Sequence, residues 1–198
     1  MTLGDEIKSS GVTEKTPKNI MVGAGTIHKG LKFENGAWNF HASLLCATAN
    51  EGNKVSIMPE ITPLEVDGVA IRRKGLDVKT GEKATMDFNP VELTPETLAM
   101  PLFAVAKTSE TAEGYDEITS KATIDEGDYV ENLAYVGKTL GGKPIIIIFD
   151  WAICTSGLEL EGKNKNAVVP TLSFECVADL VSEADTLPWH IYYPTPAA

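Results

Sequence analysis

The chain has 198 residues, a length that predicts one domain, because soluble domains mostly contain about 100 to 200 residues. Its 28 acidic and 17 basic side chains give a formal net charge of -11, and hydrophobic residues make up 43%. This balance argues against a disordered chain and against a protein that grips nucleic acid or an anionic membrane through cationic patches. The only two arginines, Arg72 and Arg73, are adjacent.

Cysteine usage and the lengths of apolar runs bear on the environment of the chain. Cys46, Cys154 and Cys176 are far apart and odd in number, which predicts reduced, buried thiols and no disulfide framework or zinc site. Residues 1–19 lack the apolar segment of a secretory signal. The longest apolar run, residues 144–149, is far shorter than the roughly 20 residues that span a bilayer. We therefore expect a soluble protein without a membrane-spanning segment, made in a cytoplasm.

The first half of the chain predicts strands. Residues 20–27 form the first of them, and Gly23 and Gly25 leave room on one face for the close approach of another part of the chain. In residues 37–46, apolar side chains occupy every second position from Trp38 onward. This period of two predicts a half-buried strand.

The second half continues the same pattern. Residues 84–88 and 168–176 alternate between apolar and polar side chains and predict two more half-buried strands. Residues 129–136 and 145–154 flank a turn-rich segment, which predicts a hairpin. Residues 145–149 are apolar at every position, so we expect that strand to be covered on both faces, by a second layer of the fold or by a neighbouring subunit.

One segment, at about 94–105, predicts a helix. Thr94 is a suitable N-cap, Pro95 suits the first helical position and Glu96 favours the positive end of the helix dipole. Pro101 limits the helix or forces it to restart. Short strands separated by turns, with this single helix, predict a β-sandwich or barrel.

Candidate chemical sites are few. Residues 110–131 hold eight acidic side chains and one base, which predicts a solvated surface segment in preference to a binding patch. Residues 137–144 match the GxxxxGK of a phosphate-binding loop, but Pro144 replaces the required Ser or Thr and a strand follows, so a glycine-rich hairpin is the better interpretation. His28, His41 and His190 are scattered and predicted to lie at the surface or on edge strands. We predict no catalytic, cofactor-binding or metal-binding residues and no enzyme activity.

The order of motifs along the chain is more informative than any one of them. The segments are, in order, Lys18-Asn-Ile-Met-Val-Gly-Ala-Gly, Ala47-Thr-Ala-Asn-Glu-Gly-Asn-Lys-Val-Ser-Ile, Pro59-Glu-Ile-Thr-Pro-Leu-Glu-Val-Asp-Gly, Lys74-Gly-Leu-Asp-Val, the strand at 84–88, Glu92-Leu-Thr-Pro-Glu-Thr-Leu, Leu158-Glu-Leu, residues 167–179 and Leu187-Pro-Trp-His-Ile-Tyr-Tyr. Over almost the whole chain, this set resembles the major tail protein, the tail tube subunit, of tailed bacteriophages of Gram-positive hosts.

The resemblance implies a tail-tube-type β-sandwich or barrel with one short flanking helix at about 94–105 and extended loops. It divides the chain into a flexible N-terminal arm at 1–17, one tail tube domain at 18–193 and a C-terminal tail at 194–198. It also implies self-assembly into six-fold rings stacked as a hollow tube, located in the virion tail after synthesis in the host cytoplasm. No cofactor or catalytic residue is implied.

Other tail proteins are the implied partners: a terminator, a tape measure, and a baseplate or distal tail protein. The resemblance also implies that DNA passes through the lumen without specific binding, and an acidic lining would suit this role because carboxylates repel phosphate. Candidate inter-subunit contacts lie in the loop 47–54, at Ala47, Asn50, Glu51, Asn53 and Lys54. The two ends of the chain are further candidates.

A second interpretation remains open. A monomeric β-sandwich module that binds a carbohydrate or a surface receptor would have a shallow groove rimmed by exposed aromatic side chains. Trp151 and Trp189 keep this alternative open. The type of particle, contractile or not, is also open at this point.

Overall fold

The computed structural model of the protein describes residues 11–49, 52–181 and 185–195. Antiparallel strands dominate this part of the chain, which confirms the predicted mainly β fold with few helices. The strands are β1 (Met21–His28), β2 (Phe33–Glu34), β3 (Ala37–Trp38), β4 (Leu44–Cys46), β5 (Lys54–Pro63), β6 (Asp77–Phe88), β7 (Val105–Thr108), β8 (Asp116–Thr119), β9 (Val130–Thr139), β10 (Pro144–Cys154), β11 (Leu172–Cys176) and β12 (Trp189–Tyr192).

The helices are short: α1 (Thr16–Asn19), α2 (Phe40–Ser43) and α3 (Pro95–Ala99), with 3-10 turns at Met100–Leu102 and Glu126–Asp128. Of the predicted N-terminal arm 1–17, the part before residue 11 lies outside the described residues. The predicted C-terminal tail 194–198 is described only at Pro194 and Thr195.

The main sheet turns back on itself. Its strands follow the order β4-β1-β9-β10-β11-β6-β5, and β12 pairs with the first half of β10. Just beyond β4 and β6 the chain pairs again, because the Ala49 amide donates to the Asn89 carbonyl (2.8 Å) and the Val91 amide to the Ala47 carbonyl (2.9 Å). These bonds join the two ends of the path from β4 to β6, so the strands enclose a core.

Aromatic and aliphatic side chains from six strands fill that core. Phe88 of β6 and Phe174 of β11 lie at its centre, fully buried, with ring centroids 5.4 Å apart and planes within 7° of parallel. The alternating strands predicted at 84–88 and 168–176 are confirmed on their buried faces, although β11 begins only at Leu172. The other buried members are Ile27, Cys46, Ala84, Met86, Val130, Leu133, Tyr135, Phe149, Ala152, Cys154, Leu172 and Cys176.

The predicted hairpin is formed by β9 and β10 and closes through residues 140–143. Phe149 faces the main core, whereas Ile146 and Ile148 face a second cluster with Leu31 and Ala134. The prediction that this strand is covered on both faces is therefore confirmed. The cover on the outer face comes from the same chain, from the segment around Leu31.

The strand predicted at 37–46 is wrong. Only its two ends are extended, and α2 interrupts it, so that Ser43 is buried and Leu44 is 51% exposed. The cause is hydrogen bonding between Asn39 and the preceding loop: its side chain accepts from the Lys32 amide (2.8 Å) and donates to the Gly30 carbonyl (3.2 Å). Side-chain bonds of this kind compete with strand pairing and favour a turn.

The helix predicted at about 94–105 is shorter than expected. The Thr94 side chain caps it by accepting from the Thr97 amide (3.2 Å), as predicted, but α3 ends at Ala99. A 3-10 turn containing Pro101 follows, and Phe103 adopts a left-handed conformation (φ 49°). Proline lacks the amide hydrogen that a continuing α-helix needs, which accounts for the early end.

Candidate assembly surfaces

Potential metal ligands do not converge in the described part of the chain. No set of three or more His, Cys, Asp or Glu side chains there is placed to hold a metal ion. None of the helices in residues 11–49, 52–181 and 185–195 has the length and apolar character that crossing a lipid bilayer requires.

The turn at 137–144 is the end of the β9–β10 hairpin, as its glycine content predicts. The Gly142 amide donates to the Thr139 carbonyl (2.8 Å), and the Thr139 amide donates to the Lys143 carbonyl (3.0 Å). The strand β10 follows directly, with no helix whose N-terminus could receive a phosphate.

The three cysteines are buried and unpaired, as predicted. Burial raises the pKa of the Cys46 thiol to about 11 and that of the Cys176 thiol to about 12, and nearby carboxylates add to the shift. At neutral pH both sulfurs are protonated, which makes them unreactive as nucleophiles.

The prediction for the histidines is wrong for His28. It lies on β1, between β4 and β9, is only 3% exposed, and contacts Thr26 Oγ1 (2.8 Å) and Ser43 Oγ (3.0 Å). Burial lowers the pKa of its imidazole. His41 is exposed, and His190 lies half-exposed on β12 with Nε2 3.3 Å from an Asp150 carboxylate oxygen.

The buried imidazole predicts a pH-dependent stability. Because the pKa of His28 is lower in the folded chain, the unfolded chain takes up the proton first as the pH falls. The free energy of unfolding is therefore at its full value above about pH 6.5 and declines as the pH falls through the folded pKa. Urea unfolding between pH 8 and pH 5 measures this slope. It is expected to flatten in His28→Gln and to persist in the exposed control His41→Gln; equal slopes in all three proteins would contradict the assignment.

The β5–β6 hairpin projects away from the core. Its base packs inward through Val55 and Ile57, but every residue from 58 to 75 and from 77 to 80 is exposed. We call residues 58–80 the arm; this segment is distinct from the N-terminal arm predicted at 1–17. Its large exposed apolar side chains are Met58, Ile61, Leu64, Val66, Val69, Ile71 and Val78, with exposed fractions from 36% to 67%.

Pairing between its two strands gives the arm a defined shape. The register continues to Pro63 opposite Asp77, and beyond it the Leu64 amide donates to the Leu76 carbonyl (2.6 Å). At the tip, Arg72 Nε lies 2.8 Å from the Asp77 carboxylate, a contact between exposed groups that contributes little to stability.

Charge distinguishes the arm from the rest of the chain. It has four basic residues and four acidic ones, so its net charge is zero and the remainder of the chain holds the whole -11. Three of the acids lie on the outgoing strand and loop, and the bases lie on the return. The acidic residues are Glu60, Glu65, Asp67 and Asp77, and the basic residues are Arg72, Arg73, Lys74 and Lys79.

The loop predicted to contact other subunits is tied to its own chain at several points. The Asn53 side chain donates to the Ala24 carbonyl (3.0 Å), and the Ala47 amide lies 3.4 Å from the Glu92 carboxylate. Lys54 begins β5 and is exposed. Asn50 and Glu51 lie outside the described residues. The loop remains a predicted contact, and the arm that follows it offers the larger apolar surface.

An aromatic groove lies on another side of the molecule. The β2–β3 hairpin, the start of β10 and the end of β12 enclose a volume of about 530 Å³. Trp38 lines it, and its ring centroid lies 5.3 Å from that of Phe33 and 5.0 Å from that of Tyr192. Phe33, Tyr192 and Tyr193 are 59%, 46% and 55% exposed. The other lining residues are Lys143, Pro144, Ile146, Pro194 and Thr195.

Two lysines lie at one end of this groove. Lys143 lines it, and Lys138 pairs with Pro144 in the sheet. No carboxylate belongs to the lining formed by the described residues, so this end of the groove is suited to an acidic segment.

The acidic segment 110–131 forms the β8 strand of the β7–β8 hairpin and a 3-10 turn. Six of its eight acidic side chains are exposed, which agrees with the predicted solvated surface. Its single base, Lys121, pairs with Asp125 (2.8 Å) and Asp128 (2.6 Å). This ion pair lowers the pKa of Asp125.

Comparison of the sequence with models of known protein families gave no match, and comparison with curated protein sequences gave none either. The resemblance to tail tube subunits therefore remains a prediction from the ordered motifs. The sequence interpretation did not identify the exposed apolar surface of the arm or the aromatic groove. Large apolar residues at 57, 58, 61, 64 and 66 are visible in the sequence, but apolar residues mixed with polar ones are equally typical of a half-buried strand.

Proposed function

We propose that this protein is the subunit of a phage tail tube, a structural protein that polymerises as stacked six-fold rings around a channel for DNA. The observation that carries the proposal is the arm, which exposes seven large apolar side chains on a paired hairpin. Several exposed apolar side chains on one projecting segment favour a protein interaction site, because leaving apolar surface in water is unfavourable.

Free strand edges support the same proposal. Within the described residues, β12 pairs only with β10 and β5 pairs only with β6, so each strand has one edge without a partner. Unpaired edges are sites where another chain can add a strand. The two edges differ, and contacts between unlike surfaces generate rings or filaments.

The acidic surface suits a channel for DNA. The exposed carboxylates of the segment 110–131 belong to a chain of net charge -11. A lumen lined with such groups repels phosphate, so DNA passes as cargo without being bound. In this proposal the protein resides in the virion tail, and its partners are copies of itself and the terminator, tape measure and baseplate or distal tail proteins.

Charge placed on the arm tests the proposal. Negative-stain microscopy and light scattering are expected to show rings or hollow filaments for the wild type and monomers for the double variant Ile61→Asp/Ile71→Asp. Both side chains are more than half exposed, so the melting temperature is expected to stay within a few degrees of the wild type.

Leu160→Asp is the matched control, since Leu160 is 48% exposed and lies outside the arm. It is expected to assemble like the wild type. A wild type that remains monomeric at every concentration would refute the proposed tail tube function. A double variant that still assembles would show that the arm is not an assembly contact.

The aromatic groove favours a second candidate, a monomeric module that binds a carbohydrate. Exposed Phe33, Tyr192 and Tyr193 rim a shallow groove, as that interpretation requires, whereas Trp151 and Trp189 are half-buried elsewhere. A strictly monomeric wild type whose tryptophan fluorescence changes on addition of oligosaccharides would support this function.

A further inference from the structure

We propose that the aromatic groove of one subunit receives the outgoing part of the arm, residues 58–67, from a second copy of the same chain. This inference rests on the proposed self-assembly and names the surface that the arm contacts. It assigns to the groove a ligand, an apolar and acidic segment of a neighbouring subunit.

The apolar surfaces match in kind and size. The groove encloses about 530 Å³, within the roughly 300 to 1,000 Å³ typical of binding pockets, and its lining is mainly aromatic and aliphatic. Leu64 and Val66 are 54% and 49% exposed, so the arm does not fill the groove of its own subunit. Burying these side chains against Trp38 and Tyr192 would remove both surfaces from water.

The charges are complementary and unused. Among the described residues, Glu65 and Asp67 form no ion pair, and neither do Lys138 and Lys143. The Lys143 ammonium donates to the Thr195 carbonyl (3.0 Å) and has no carboxylate partner in that part of the chain. The one acidic residue on the return side of the arm, Asp77, is by contrast already paired with Arg72. Glu65 and Asp67 on the outgoing part of the arm are therefore available to pair with Lys138 and Lys143 at the groove.

The groove and the arm lie at the same end of the main sheet. Cys154 of β10 pairs with Phe174 of β11, and Phe174 pairs with Met86 of β6, so β10 and β6 run parallel. The groove lies at the start of β10 and the arm precedes most of β6, so both surfaces lie toward the N-terminal ends of these strands. Two different surfaces on one subunit can form a heterologous contact, the kind that generates rings or filaments.

A charge-swap experiment tests this contact in the full-length protein. Glu65→Lys/Asp67→Lys reverses the arm, and Lys138→Glu/Lys143→Glu reverses the groove end. All four side chains are exposed, so both variants are expected to fold. Each is expected to raise the concentration for half-assembly about tenfold or more, measured by light scattering at low salt.

Combining the four substitutions in one chain is expected to restore assembly to within about threefold of the wild type, since the attractive pair is re-formed with opposite signs. The matched control combines the reversed groove with Glu110→Lys/Glu113→Lys, which restore the same net charge at exposed positions outside the arm, and it is expected not to recover. If the wild type assembles but the quadruple variant shows no recovery, this contact is overturned and the proposed tail tube function stands. A wild type that never assembles overturns both, and a fluorescence response of that monomer to oligosaccharides assigns the groove to a sugar.

Discussion

Phe174→Ala is expected to lower the free energy of unfolding by about 3 to 5 kcal/mol, the usual cost of removing a buried phenylalanine ring. Phe174 is fully buried: its relative exposure is 0%, and its ring stacks on that of Phe88, with the two centroids 5.4 Å apart. The substitution removes the transfer free energy of the ring and leaves a void, because the surrounding strands relax only partly.

Urea denaturation followed by tryptophan fluorescence measures this loss. Phe33→Ala is the matched control, because the same ring is 59% exposed at that position, and we expect it to cost less than about 1 kcal/mol. Equal losses for the two variants would contradict the placement of Phe174 at the centre of the core.

Gly25→Ala is expected to lower the free energy of unfolding by about 2 to 5 kcal/mol, through two separate effects. Gly25 has a φ of 72°, which is unfavourable for residues with a side chain. A Cβ atom there would also overlap the ring of Tyr135 on the neighbouring strand β9. The close approach predicted for this glycine from the sequence is confirmed.

Gly23 supplies the control on the same strand. Its φ is 82°, but a Cβ atom would meet nothing within 4 Å, so Gly23→Ala retains only the backbone effect, about 1 to 2 kcal/mol. In a Tyr135→Leu background, the cost of Gly25→Ala is expected to fall to that of Gly23→Ala. Chemical denaturation of the four variants measures the coupling, and its absence would show that Tyr135 is not the obstacle.

Strands with strict alternation were predicted correctly from the sequence because each one buries a single face. Ala84, Met86 and Phe88 are fully buried on β6, and Leu172 and Phe174 on β11. The N-cap at α3 was also predictable, since its hydrogen bonds are local. The β9–β10 hairpin belongs to the same class, because a turn-rich segment joins two neighbouring strands.

Interactions between distant parts of the chain account for the failures. His28 is polar and was expected at the surface, but Ser43 supplies a hydrogen-bond partner 15 residues away that allows its burial. Asn39 ends a strand because it bonds to backbone groups at Gly30 and Lys32. Neither arrangement is visible in a pattern of apolar and polar residues.

The sequence alone determined the mainly β class, the principal core strands, the hairpin and the acidity, because all four follow from composition and from periods of two residues. Only the tertiary structure decided which apolar residues are buried. Large apolar residues such as the Met86 of the core also occur in the arm, where Ile61 and Ile71 are exposed because no other part of the described chain packs over them. Burial depends on what lies opposite a strand, and long-range packing alone determines that.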